Sequence, residues 1–163
     1  MEGMVNYHFS IELPVIDHID HGRSDLWCSL HAEAAKHGIT EDNRKLLTTS
    51  NATTLRIESG TCNQEGLTSL PLKGFPDLQS LVIGDECFQH VDVVTISGMQ
   101  NLSSISVGSN SFTNHKNSHF NDTSRHFSIT DCPQFDSLSV GPYSFSDYTT
   151  FVASSNGCNC VLR

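Results

Sequence analysis

Three stretches of the chain superimpose: FPDLQSLVIGDECF (75–88), MQNLSSISVGSNSF (99–112) and CPQFDSLSVGPYSF (132–145). Each runs apolar residue, two spacers, apolar residue, one spacer, aliphatic residue, glycine, with Phe four positions after the glycine. The equivalent columns are Leu78/Leu102/Phe135, Leu81/Ile105/Leu138, Ile83/Val107/Val140, Gly84/Gly108/Gly141 and Phe88/Phe112/Phe145. A fixed internal period decides the architecture before any local propensity does.

Working outward, a second apolar pair precedes each stretch: Leu70 and Leu72, Val94 and Ile96, Phe127 and Ile129. A further copy opens at Phe151 and Ala153. The pairs start 24, 33 and 24 residues apart, so the middle interval carries nine extra residues, an insertion near 113–126. Upstream, TTLRIESG (53–60) reads as a degenerate copy in which Leu55 and Ile57 stand for the first pair. Both pairs alternate with a period of two, the mark of half-buried strands. The glycine is expected to supply a positive φ where the chain turns. The recurrent Phe is expected to fill the core opposite the strand pair. A single unit cannot bury these columns alone, so neighbours must stack.

The pattern LxxLxIGxxxF resembles the leucine-rich repeat, and within it the Treponema-type class of bacterial surface antigens and protist families; CPQFDSLSVGPYSF carries the likeness best. It covers about residues 53–155 and departs from the ribonuclease-inhibitor type, with glycine replacing the asparagine and no room for a full helix. The resemblance implies a mostly β chain with a small α N-terminal cap: a leucine-rich-repeat solenoid of short stacked strands, about 24 residues per unit. It implies a binding surface for another protein, a non-catalytic scaffold without a cofactor. The alternative is a fragment of a cell-surface or secreted adhesive repeat protein.

The flanks lack the register. Residues 1–50 form a cap or docking segment, with a helix near 24–37 that opens at Ser24 and stops at Gly38. The solenoid occupies 51–155. Residues 156–163 are a tail, because the last copy dissolves into SSNGCNCVLR without a second apolar pair. Cys158 and Cys160 belong to that tail.

The 163 residues hold 35 Ser plus Thr, more than the 9 basic and 18 acidic side chains together, and 11 Asn. Small hydroxyls suit turns and strands. Alternation turns Ser80, Ser104 and Ser137, and Thr95, Ser97, Ser128 and Thr130, outward as ladders. A formal charge of −9 argues against nucleic-acid binding driven by counterion release. No apolar run spans a membrane, and no export signal is legible, which places the chain in the cytoplasm. On that basis the six cysteines read as free thiols. Cys160 opens a formal prenylation box, but a terminal Arg163 and the absence of a polybasic stretch argue against lipidation. Sequons at Asn51, Asn101 and Asn121 match the two or so (about 2.4) that chance placement gives.

Candidate chemistry is sparse. In the insertion, His115, His119, Asp122 and His126 form H-x3-H-x2-D-x3-H, donors suited to zinc, but the intervening Asn, Ser and Thr favour a solvated loop. Asp17, His18, Asp20 and His21 read as a surface turn or strand. No nucleophile elbow, phosphate loop or zinc-protease motif occurs. Cys87 and Cys132 read as small buried hydrophobes. An outward sheet face without aromatic or Arg anchors shifts the partner-binding expectation to His115, His119, Phe120, Tyr143 and Tyr148.

Overall fold

Leu81 and Ile83 point inward while Ser80 and Val82 do not, and the same inward–outward alternation recurs at 54–57, 104–107 and 137–140. The chain is described by a computed structural model covering residues 28, 29, 32, 52–70, 72, 75–114, 122–154 and 159–162. Its strands are β1 (Thr54–Ile57), β2 (Ser80–Ile83), β3 (Val93–Ser97), β4 (Ser104–Val107), β5 (Asp122–Thr130), β6 (Ser137–Val140), β7 (Tyr148–Ser154) and β8 (Asn159–Leu162). All pairings are parallel. Five strands form one sheet in the order β1-β2-β4-β6-β8, and three form another in the order β3-β5-β7. Described helical backbone is confined to Cys28, Ser29 and Ala32.

The repeat columns stand in register. Leu81 pairs with Ile105 and Ile105 with Leu138; Val94 pairs with Phe127 and Phe127 with Phe151. The first pairs Val94/Ile96, Phe127/Ile129 and Phe151/Ala153 lie in the three-stranded sheet, and each second pair lies in the five-stranded one. Leu70 and Leu72 lie outside both, next to a single bridge from Ser69 to Val93. Between the sheets lies a core that includes Leu55, Leu78, Leu81, Leu102, Leu138, Val94 and Ile129, all at most 1% exposed. The Phe column fills it as expected: Phe88 stacks on Phe112 at 5.0 Å and Phe112 on Phe145 at 4.6 Å between centroids. Those spacings match the distance between paired strands, so one aromatic column and one hydrogen-bond ladder share a period.

Three expectations are corrected. First, Leu55 and Ile57 occupy the second-pair columns, since they pair with Leu81 and Ile83. Glu58 then stands in the glycine column and Cys62 in the Phe column. Second, the glycines of the repeat do not turn through positive φ. Left-handed backbone falls two and four residues later, at Gly60 and Cys62, Glu86 and Phe88, Asn110 and Phe112, and Tyr143 and Phe145. The glycine is required by close approach instead. A Cβ on Gly108 would lie 2.7 Å from the Gly84 carbonyl carbon, and one on Gly141 would lie 2.6 Å from that of Gly108. Third, the last copy does not dissolve. β8 pairs with β6, placing Cys160 opposite Leu138 and Leu162 opposite Val140. Its spacing shortens after β7, which hid the second pair.

The cysteine reading divides. Cys87 and Cys132 are free and buried, as expected. Cys28 and Cys62 are joined in a disulfide across 34 residues, with Cα atoms 5.2 Å apart. Around that bond, Gln64 Nε2 donates to Ser29 Oγ at 3.1 Å, and Gly66 lies so close to Ala32 that a Cβ there would be 3.2 Å from its carbonyl oxygen. The described part of the expected N-terminal helix therefore docks on the segment after β1; the rest of residues 24–37 lies outside the described residues.

Candidate functional site

Each unit has two corners. One carries the chain from the three-stranded sheet to the five-stranded sheet. The other carries it back, through the glycine and the two left-handed residues, the second of which is the Phe. The insertion leaves from this second corner, between Phe112 and β5.

A buried polar ladder holds the second corner together. Three positions after the glycine column stand Thr61, Cys87, Ser111 and Ser144. Cys87 Sγ contacts the Glu58 carbonyl at 3.1 Å, Ser111 Oγ donates to the Gly84 carbonyl at 2.8 Å, and Ser144 Oγ donates to the Gly108 carbonyl at 2.6 Å. The same hydroxyls accept in return: Cys87 N–H donates to Ser111 Oγ at 3.1 Å, and Ser111 N–H to Ser144 Oγ at 2.9 Å. Ser111 is fully buried, and these bonds satisfy backbone groups that its corner takes out of water. Cys87 therefore acts in the ladder as a donor as well as a small hydrophobe. Burial pushes its thiol above the ordinary value, which keeps the S–H in place.

The root of the insertion is clamped by a buried ion-pair cluster. β5 runs past its sheet neighbour β3 toward the insertion, so Arg125 takes the inward position two residues before Phe127. It is 2% exposed. Its Nη1 bonds Asp147 Oδ2 at 2.9 Å, its Nε bonds Asp92 Oδ1 at 3.0 Å, and its Nη2 donates to the Gln89 carbonyl at 2.8 Å. The guanidinium also lies 5.6 Å from the centre of the Tyr148 ring. The segment that leaves toward the insertion, at Thr113 and Asn114, is held by residues 146 and 147. Asn114 N–H donates to Asp147 Oδ2 at 3.0 Å, and the Thr113 and Ser146 hydroxyls lie 3.1 Å apart. Both feet of the insertion thus rest on residues 146–147. A buried ion pair of this kind costs more in desolvation than a hydrophobic substitute would, and its best-attested use is to specify one geometry.

The proposed partner-binding residues part company here. Tyr143 is 65% exposed and has a φ of 64°, a conformation its counterparts fill with Gly60, Glu86 and Asn110. Tyr148 is a correction: it is 4% exposed, and its hydroxyl donates to the Val91 carbonyl. It packs edge-on against Phe145 at 4.9 Å. Burial pushes its phenol far above the ordinary value, opposed by Arg125. The turn residues around it made Tyr148 look exposed; the aromatic column draws it inward. His115, His119 and Phe120 lie outside the described residues.

The zinc array is likewise only partly placed. Asp122 and His126 lie in β5 on either side of a register shift, and the described residues bring no three His, Cys, Asp or Glu side chains together as metal ligands. Sequence reading missed Arg125, Asp92 and Asp147. Asp92, Arg125 and Thr149 form a column two residues before Val94, Phe127 and Phe151, so the period of two extended upstream would have found it. A charge in an apolar register reads as solvated instead. No described helix is long and apolar enough to cross a membrane. No protein-family model matches the chain, and neither a curated protein nor a solved structure matches it.

Proposed function

We propose that the chain is a leucine-rich-repeat solenoid that binds another protein without catalysing a reaction, and that the second corner is its contact surface. The observation that carries this reading is the clamp on the insertion root. Arg125 and Asp147 hold both feet of a loop rich in His and Asn that carries one aromatic, Phe120, and loops on rigid supports are where binding residues concentrate. Tyr143, exposed on the same type of corner, adds an aromatic anchor of the kind that dominates interfaces. In this reading residues 1–50 cap the first repeat. The Cys28–Cys62 bond and the close packing of Ala32 on Gly66 support that role.

The alternative, a cell-surface or secreted adhesive repeat, is favoured by one observation. A disulfide between buried cysteines persists in oxidising compartments and is rare in the cytosol. Cys28–Cys62 therefore weighs against the cytoplasmic placement expected from the sequence. The two readings share the contact surface and differ in where it works.

Tyr143→Asn tests the surface. Asn tolerates the left-handed conformation, as Asn110 does in the previous copy, so the variant is expected to gain about 1 kcal/mol of stability. Quantitative proteomics on crosslinked captures should show partners whose recovery falls about tenfold with the variant. An unchanged captured set, alongside the raised denaturation midpoint, would remove Tyr143 from the surface.

A further inference from the structure

The sequon Asn101-Leu102-Ser103 occupies the first corner, between β3 and β4, and there the structure separates its residues sharply. Asn101 is exposed, Leu102 is fully buried, and Ser103 Oγ donates to the Gln79 carbonyl at 2.9 Å. The counterparts of Asn101, Asp77 and Gln134, are exposed as well. The corner thus turns this position to solvent in all three copies where it is described, and a large substituent there displaces no packed group. A count of three sequons carries no weight against chance, but the exposure of Asn101 is independent of that count.

We propose that Asn101 is an N-glycosylation site. The inference rests on the oxidising-compartment reading, because the same lumen that forms Cys28–Cys62 holds the donor, a polyprenyl-pyrophosphate-linked oligosaccharide. Asn101 Nδ2 bonds to the anomeric carbon of the first sugar as that carbon's bond to the pyrophosphate oxygen breaks. The lipid pyrophosphate leaves, and the amide gives up one proton to the catalysing base. No electrons are transferred. Chain order puts the glycan on the corner opposite to the one bearing Tyr143 and the insertion. It would shield the first corner and leave the second free.

The test is a peptide map of the full chain secreted from eukaryotic cells behind a supplied signal sequence. The Asn101 peptide is expected to carry hexose and N-acetylhexosamine mass, and amidase release in heavy-oxygen water should convert Asn101 to labelled Asp. Asn101→Gln should abolish that mass and leave the melting temperature unchanged. An unmodified Asn101 peptide in secreted protein with Cys28 linked to Cys62 overturns the proposal and spares the compartment reading. Secreted protein in which Cys28 and Cys62 are both reduced overturns the compartment reading instead, and the proposal with it.

Discussion

The two sheets follow the same repeat with different strictness. In the five-stranded sheet every strand is four residues long, and all four pairings run without interruption. In the three-stranded sheet the strands have 5, 9 and 7 residues, and the β5–β7 pairing shifts between Asp122 and His126. The regular sheet follows the Gly column: at Gly84, Gly108 and Gly141 backbone lies 2.6–2.7 Å from any added Cβ, so neither insertion nor side chain fits there, and the first copy, with Glu58 in that column, is the exception. The irregular sheet follows the Phe corner, where the chain can leave and return. It does so at the cost of a buried charge, Arg125. Regularity marks the framework, and its interruption marks where a function can be added.

Two substitutions should break this contrast in opposite ways. Arg125→Met strands the Asp147 carboxylate, 1% exposed, beneath the insertion, and a cost of about 4 kcal/mol is expected. Adding Asp147→Asn should restore at least half of it, because an uncharged pair leaves no buried ion. Chemical denaturation of the single and double variants measures both, and additive losses would show that the two side chains act apart. Gly108→Ala strikes the regular sheet. Its methyl meets the Gly84 carbonyl carbon, so about 3 kcal/mol is expected from overpacking. The same change at Gly98, whose Cβ would meet nothing within 4 Å, tests the distinction. That variant loses only what the φ of 69° costs a side chain. Equal losses at Gly98 and Gly108 would refute close approach as the reason for the glycine column.

Ser111→Ala sharpens the account of the second corner. It removes the donor to the Gly84 carbonyl and the acceptor for Cys87 N–H, leaving one buried and one partly buried backbone group without these partners. The expected cost is about 2 kcal/mol. Ser106→Ala, exposed on the sheet between the same two corners, should change stability by less than about 0.5 kcal/mol. Thermal or chemical melts of the pair read the difference.

The columns that carry apolar residues were legible because burial imposes one residue type at one spacing. Leu81, Ile105 and Leu138 announce a strand face to any reader of the pattern. What was not legible shares a physical cause. Gly84 can serve a turn or a close approach, and only the neighbouring backbone decides between them. Tyr148 lies in a run of turn residues, yet the Phe column beside it makes burial more favourable than exposure. Cys62 fills the Phe column only because its sulfur is bonded to Cys28, a contact 34 residues away. The Ser111 and Arg125 networks are polar groups in buried registers, where composition points to the surface and hydrogen bonding overrides it.

A last expected effect appears only at alkaline pH, and it separates the polar ladder from the aromatic cluster. Both Cys87 and Tyr148 are raised by burial, so in the folded protein each holds its proton above the pH at which the unfolded chain releases it. Below the unfolded values, ordinarily about 8.5 for Cys and about 10 for Tyr, neither group makes stability depend on pH. Above each value the unfolded state binds fewer protons than the folded state, and stability falls as pH rises, by about 1.4 kcal/mol per pH unit for one group. A melting series should therefore be flat from neutral pH to about 8.5, slope downward from there, and steepen above about 10. Tyr148→Phe should remove the steeper limb alone, while lowering stability at every pH by the lost bond to the Val91 carbonyl. Cys87→Ser, which preserves a donor to the Glu58 carbonyl, should remove the shallower limb. If Tyr148→Phe left the limb above pH 10 intact, the phenol would titrate in the folded protein as it does in water, and its place in the core beside Arg125 would be refuted.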